Sequence, residues 1–199
     1  MFICFEGIDG AGKSTQARML YEHLTADGID VELVADPGTT RIGQSIREIL
    51  LANDAPISPS AQMLLFSAAR AELAEYIKTK LAANTVILCD RWLLSTLVYQ
   101  GELNKIPTEL ILQIFRGTSD LLPDLYFVLD ISPEEARVRM GAPGDRYERR
   151  CLRDRQKMRD AYLDHAKNLD SSTVHVIPAH LPPDDTHAQI YNVFQRVWR

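Results

Sequence analysis

The sequence predicts a three-layer α/β fold, with helices covering both faces of a five-stranded parallel sheet, and three observations predict it. Five short runs, 2–6, 31–35, 85–90, 125–131 and 174–177, are apolar nearly throughout, as strands buried on both faces require. Helical patterns separate consecutive runs, so strand and helix alternate along the chain. The first run passes into a glycine-rich G-x-x-x-x-G-K-[ST] segment and then into a helix. With 199 residues and no repeat, linker or low-complexity segment, the chain is expected to fold as a single domain over 1–199.

Each element has a local cause. Phe2-Ile3-Cys4-Phe5 forms the first strand, and Ala17, Leu20 and Leu24 give the 14–26 helix its apolar face, with Gly28 as its stop. A second strand at 31–35 leads to a helical pattern over 42–51. The long helix over 59–83 opens on Ser58-Pro59, a cap followed by a first-turn proline. The third strand, 85–90, precedes a helix over 108–116 and the fourth strand, 125–131. Ser132-Pro133-Glu134-Glu135 then combines a proline start with capping-box spacing. After a break at Gly141-Ala142-Pro143-Gly144, helices are expected over 149–168 and 184–198, flanking the last strand.

Bulk composition narrows the function. A 46% hydrophobic, 25% charged chain is an ordinary globular one, and a net charge of −5 argues against a nucleic-acid surface built on bulk positive potential. Cys4, Cys89 and Cys151 lack C-x-x-C spacing and read as reduced thiols. There is no basic leader, and no apolar run approaches membrane-spanning length, so a cytoplasmic location and no membrane partner are expected. His23, His165, His175, His180 and His187 show no metal-ligand spacing and read as surface or loop residues. Arginines crowd one stretch, from Arg137 and Arg139 through Arg146, Arg149, Arg150, Arg153 and Arg155; they suit either phosphate contacts or a solvated helix face.

Chemistry concentrates where strands end. Gly7-Ile8-Asp9-Gly10-Ala11-Gly12-Lys13-Ser14 is a complete phosphate loop, whose glycines let successive N–H groups turn onto phosphate oxygens. Lys13 adds charge at the outer phosphates, and Ser14 offers a hydroxyl to Mg2+. In parallel sheets ligands sit beyond the carboxyl ends of the strands, where Asp36-Pro37-Gly38-Thr39-Thr40 and Asp90-Arg91-Trp92 also stand. Asp90 is placed to hold Mg2+ beside Ser14, and Arg91 to grip an acceptor phosphate.

The phosphate loop, Asp36-Pro37-Gly38, Phe66-Ser67-Ala68-Ala69-Arg70, Asp90-Arg91-Trp92-Leu93-Leu94-Ser95-Thr96, Tyr99-Gln100-Gly101 and Asp145-Arg146-Tyr147-Glu148 together resemble the thymidylate kinase family, in order and as far as Tyr162. The resemblance implies a three-layer P-loop kinase fold with a short mobile lid at about 137–150, transfer of the ATP γ-phosphoryl group to dTMP, and a homodimer packed through long helices. The apolar stripe over 61–73 suits such an interface or an intramolecular core equally. For ATP the resemblance implies Gly7, Asp9, Gly10, Ala11, Gly12, Lys13, Ser14 and Thr15, with Arg139 and Arg149 from the lid.

For dTMP it implies Phe66 on the thymine face and Arg70 on the carbonyl edge, one turn apart on one helix. Thr96 and Gln100 match the base pocket, Tyr99 a ring that crowds a ribose 2′-hydroxyl, and Tyr162 a tyrosine near the sugar. Asp9 corresponds to a carboxylate on the sugar 3′-hydroxyl, Asp36 lies in the acceptor cluster, and Arg91 takes the acceptor phosphate. No general base is needed, since a nucleotide monophosphate with a second pKa of about 6 is largely dianionic at neutral pH. Catalysis then rests on alignment and charge neutralisation by Lys13, Mg2+ and arginines. Some members carry an arginine in the phosphate loop; Gly10 occupies that position here, which makes lid Arg146 the expected catalytic arginine.

The segment after the second strand departs from the family's usual Arg-Glu-Pro-Gly-Gly-Thr. It reads Ala35-Asp36-Pro37-Gly38-Thr39-Thr40, with Arg41 as a possible substitute arginine, and a 5-modified dUMP is the alternative acceptor. A deoxynucleoside kinase, with Asp36 as its base, is the nearest rival, but its expected Glu-Arg-Ser is Asp90-Arg91-Trp92 here. A switch GTPase would need Asn-Lys-x-Asp, whereas Asn104-Lys105 precedes Ile106-Pro107. The acidic balance disfavours a DNA-translocating ATPase, and intact Lys13, Ser14, Asp90 and Arg91 argue against a dead site.

Overall fold

The computed structural model describes residues 1–51, 56–141 and 154–198. Five parallel strands stand in the order β2-β3-β1-β4-β5, formed by β1 (Phe2–Glu6), β2 (Val31–Ala35), β3 (Val86–Asp90), β4 (Leu125–Asp130) and β5 (Val174–Pro178). The central strand β1 is buried at every residue, as its unbroken apolar run requires. Its register against β3 pairs Phe5 with Asp90, which sets the end of β3 level with the start of the phosphate loop.

Helix α1 (Lys13–Ala26) follows that loop, and α2 (Arg41–Leu51) follows β2. The long α3 (Pro59–Ala82) begins as its sequence dictates, with Ser58 Oγ accepting from the Ala61 N–H at 3.3 Å. Ile46 and Leu50 of α2 pack with Ala69, Leu65 and Phe66 of α3, a small core separate from the one under the sheet. After β4, Ser132 and Glu135 close the expected capping box of α6 (Pro133–Met140). Helices α7 (Arg155–Lys167) and α8 (Pro183–Val197) bury Met158, Tyr162, Ile190 and Phe194. Strand and helix ends agree with the periodicity to within about two residues; 149–153 of the expected 149–168 helix lie outside the described residues.

One element has no counterpart in the sequence reading. After β3 the chain turns through α4 (Leu93–Thr96) into a π-helical stretch, Leu97–Leu103, followed by α5 (Thr108–Thr118). A wider π turn breaks the 3.6-residue period, so its buried Leu93, Leu94, Leu97 and Val98 form no amphipathic helical pattern.

Cys4 and Cys89 are free and buried on paired strands, and burial raises both thiols above their ordinary range; Cys151 is outside the described residues. None of the five histidines is buried, in keeping with the surface or loop reading. His180 is exposed and the other four are half-buried, and His23 and His187 meet at 3.2 Å between α1 and α8, with His23 stacked on Tyr191. The fold's helix packing, invisible to local spacing, brings them together. No helix among the described residues is long and apolar enough to cross a membrane.

Candidate active site

The phosphate loop is shaped by what surrounds its glycines. A Cβ on Gly7, at φ +137°, would meet the Leu129 carbonyl at 2.6 Å. At Gly10, φ +87°, it would meet the Ala136 carbonyl at 2.6 Å and Met140 Cγ at 3.0 Å. These positions therefore demand glycine on both conformation and space. Lys13 turns back over the loop and donates from Nζ to the Ile8 carbonyl at 2.9 Å. Burial, reinforced by the nearby Arg91 charge, pulls its ammonium down to about 8.

Ser14 Oγ donates to Asp90 Oδ2, and Asp90 Oδ1 is buried without a partner. The β1–β3 register makes this pair. A hydroxyl and a carboxylate with spare acceptor capacity are hard oxygen donors of the kind Mg2+ takes alongside nucleotide phosphates. No group of three or more His, Cys, Asp or Glu side chains that could hold a metal occurs among the described residues.

Arg91 leaves β3 in the left-handed region at φ +74°, which swings its side chain across the loop instead of beside Asp90. Its Nη1 donates to Ser95 Oγ at 3.1 Å and Tyr162 Oη at 3.2 Å, its Nη2 pairs with Asp9, and its guanidinium lies 5.2 Å from the Tyr99 ring centre. Tyr99 Oη donates to the other Asp9 oxygen at 2.9 Å. Burial works to raise the Asp9 carboxyl, but Arg91 and Lys13 outweigh it and hold it below its ordinary value. Glu6, fully buried at the end of β1, accepts from the Trp92 N–H at 2.8 Å and from Ser95 Oγ at 2.6 Å. It anchors the turn that carries Arg91.

Two cavities open from this centre. One is lined by Asp9, Asp36, Arg47, Phe66, Arg70, Arg91, Ser95, Thr96, Tyr99 and Gln100, among others. Arg70 donates from Nε to Asp36 Oδ2 at 2.7 Å, with Nη2 2.6 Å from the same oxygen. Burial raises the Asp36 carboxyl, partly offset by Arg70. Asp36 Oδ1 and Gln100 Nε2 are buried and without partners, so the cavity holds one unused acceptor and one unused donor. The second cavity runs over Asp9 to Arg18, Gly38, Asp90, Arg139 and Met140 to the Ala179–Pro183 turn. Asp9, Asp36, Pro37, Arg47 and Arg91 line both, marking where the two meet.

The site thus gathers Asp9, Gly10, Ala11, Gly12, Lys13, Ser14, Thr15, Asp90 and Arg139 at one cavity, and Phe66, Arg70, Thr96, Tyr99 and Gln100 at the other. Tyr162 is buried behind Arg91 and lines neither. Arg146 and Arg149 lie outside the described residues. Arg41 is exposed and lines neither cavity; Arg47, further along α2, lines both and donates to the Pro37 carbonyl at 3.1 Å. Sequence reasoning did not single out Arg47, Glu6 or Ser95. Arg47 belongs to no motif, and only the α2 turn brings it to the junction.

Comparison with known proteins agrees with this geometry. The family model described as Thymidylate kinase matches residues 5–190. A thymidylate kinase of Prosthecochloris aestuarii is 41% identical over 96% of this chain and 91% of its own length. One of Chlorobium chlorochromatii is 40% identical, covering 96% and 92%. The crystal structure of thymidylate kinase from Ehrlichia chaffeensis superposes with a TM-score of 0.77 at 31% identity, over 98% of each chain.

Proposed function

This chain belongs to the thymidylate kinase family, and from that premise we propose how its two joined cavities phosphorylate dTMP. The reaction moves the γ-phosphoryl group of ATP onto dTMP to give dTDP, a precursor for DNA synthesis. A 5-modified dUMP or a deoxynucleoside as acceptor is not favoured by relatives named thymidylate kinase across nearly the whole chain. The observation that carries the reading is the junction itself, where a phosphate-loop cavity and a cavity lined by an aromatic ring and one amide share Asp9, Arg47 and Arg91.

In our reading the phosphate-loop cavity takes ATP, with Asp9 to Thr15 around the phosphates, Arg139 beside them and Gly7 setting the turn from behind. The other cavity takes dTMP. Phe66 supplies a ring for stacking, Arg70 a donor to the base, and Gln100 an amide whose hydrogen is unspent. Thr96 and Tyr99 bound the base and sugar, and Tyr162 acts through Arg91. Arg91 grips the acceptor phosphate, and Asp9 holds both Arg91 and the sugar side. Ser14 and Asp90 would hold Mg2+, which supplies charge neutralisation at the ATP phosphates when bound. Lys13 must exchange its Ile8 carbonyl for a phosphate oxygen. The dTMP dianion is already a nucleophile, so the residues align and neutralise and no base is assigned. Among lid arginines, Arg146 is our candidate for the transition state.

Four further readings belong with this proposal. Nucleic acid is not a partner, because the cations of the site line a crevice in a chain of net charge −5. The enzyme is a single domain working in the cytoplasm, in keeping with its unpaired buried thiols. It works as a homodimer. Half-exposed Leu64 on α3 and Leu110 on α5 offer apolar surface, although Met63, Ala69 and Leu73 of the same α3 stripe serve the intramolecular core.

The decisive assay is ADP release with Mg2+ and ATP against dTMP, dUMP, 5-hydroxymethyl-dUMP, dCMP, UMP and thymidine. Strong selection of dTMP is expected. Turnover with thymidine alone would overturn the monophosphate reading.

A further inference from the structure

Arg155 is a buried arginine without a counter-charge among the described residues, and it reaches Met140, which packs over the phosphate loop. It opens α7 on the stripe that carries Met158 and Tyr162, two turns before the tyrosine that touches Arg91. Its side chain is 4% exposed. Its Nη2 lies 3.1 Å from the sulfur of Met140, while Nε and Nη1 are buried with no hydrogen-bond partner. One turn on, Arg159 behaves as a structural arginine should, pairing with Asp130 through 2.5 and 2.9 Å bonds. No carboxylate pairs with Arg155 among the described residues.

The contact with Met140 leads to the site. Met140 lines the ATP cavity and packs over Gly10, its Cγ 3.0 Å from where a Cβ there would stand. The Arg155 charge is also felt at Asp9, whose carboxyl it helps to lower, after the larger effects of Arg91, Lys13 and Tyr99. A thioether is a weak acceptor, and a buried guanidinium with two idle donors is costly unless an anion arrives. Among the described residues no carboxylate supplies one, whereas a triphosphate in the adjoining cavity would.

We propose that Arg155 is a phosphate-binding residue for the donor nucleotide: with ATP bound, Nε and Nη1 donate to oxygens of its outer phosphates in place of the Met140 contact. The proposal rests on the kinase reading above, and extends it to a residue on α7 that reaches Met140, the side chain packed over Gly10.

The test uses Arg155→Met, which keeps apolar bulk, and Arg155→Lys, which keeps charge but loses the fork, in the full chain. Melting is followed with and without β,γ-imido-ATP and, separately, dTMP; steady-state kinetics are run with each substrate varied. The expected result is a smaller melting shift with the ATP analogue, kcat/KM for ATP down by roughly ten- to a hundredfold, and the dTMP shift and dTMP KM within about twofold of wild type. If Arg155→Met does not fold, Arg155→Lys decides by the same readings. An unchanged analogue shift and ATP kinetics, or equal losses toward both ligands, would overturn the proposal. Wild type that binds the analogue but does not phosphorylate dTMP would instead count against the kinase reading, since the melting arm needs no acceptor.

Discussion

Asp9 and Arg91 form an ion pair from the phosphate loop to the end of β3, at the place where the two cavities meet. Arg91 is held from behind by Ser95 and Tyr162, so its fork is aimed before any ligand arrives. A lysine is a compact ammonium that cannot span Asp9, Ser95 and Tyr162 together. Arg91→Lys should lower kcat/KM for dTMP roughly ten- to a hundredfold, read by varying dTMP at saturating ATP. Unchanged dTMP kinetics would remove Arg91 from the acceptor site.

Asp36 and Arg70 form the second pair, and both side chains are almost fully buried. Removing only the carboxylate leaves a guanidinium buried without compensation. Asp36→Ala should therefore destabilise the protein by about 3–5 kcal/mol in urea denaturation. Arg70→Met placed on top of it should recover much of that loss, because the pair and not the site shape is at stake. Additive losses in the double variant would show that each residue acts through other contacts.

These pairs mark the boundary of what local pattern reveals. The five strands and the phosphate loop were legible because apolar runs and the G-x-x-x-x-G-K-[ST] spacing are local facts. Phe66 and Arg70 were legible through the family resemblance, with which their one-turn spacing on a helix is consistent. The partners of Arg70 and Arg91 were not, since Asp36 reaches α3 through tertiary packing and Asp9 meets Arg91 only after a left-handed turn. Arg47 and Arg155 were hidden for a related reason. Each looks like one arginine among many on a helix; only its neighbours set exposed Arg47 apart, and burial with idle donors sets Arg155 apart.

Gly10 offers a steric test. A methyl group there would strike the Ala136 carbonyl, a backbone atom that cannot swing aside, at a φ unfavourable to any L side chain. Gly10→Ala should cost about 1–3 kcal/mol of strain and displace α6 from the loop, with loss of ATP-dependent turnover. Gly12→Ala is the control, because nothing lies within 4 Å of its Cβ position although φ is +93°. Equal melting temperatures in both variants would mean that crowding by α6 is unimportant.

Because Gly10 has no room for a side chain, a transition-state arginine must come from elsewhere, and Arg146 is the residue the family resemblance assigns. Arg146→Ala should reduce kcat by roughly 10³ to 10⁵ with little change in dTMP affinity. Single-turnover rates together with dTMP binding would separate the two effects, and equal turnover would reject the assignment.

Glu6 gives a prediction in pH. Burial raises its carboxyl above the ordinary value of 4.5, against the opposing Ser95 bond and Arg91 charge. A group that holds its proton longer in the native state makes folding less favourable as pH rises from its unfolded value through its native one. Glu6→Gln cannot ionise but keeps an acceptor for the Trp92 N–H. The variant should therefore gain on the wild type with increasing pH, at no more than about 1.4 kcal/mol per pH unit within that window, and the gap should be constant above it. Urea denaturation of both proteins from about pH 4.5 to about pH 8 measures the gap. A gap that moves in favour of wild type would mean that the hydrogen bonds from Trp92 and Ser95 outweigh burial. Glu6 would then stabilise the Arg91 turn as a carboxylate, and its native pKa would lie below the unfolded one.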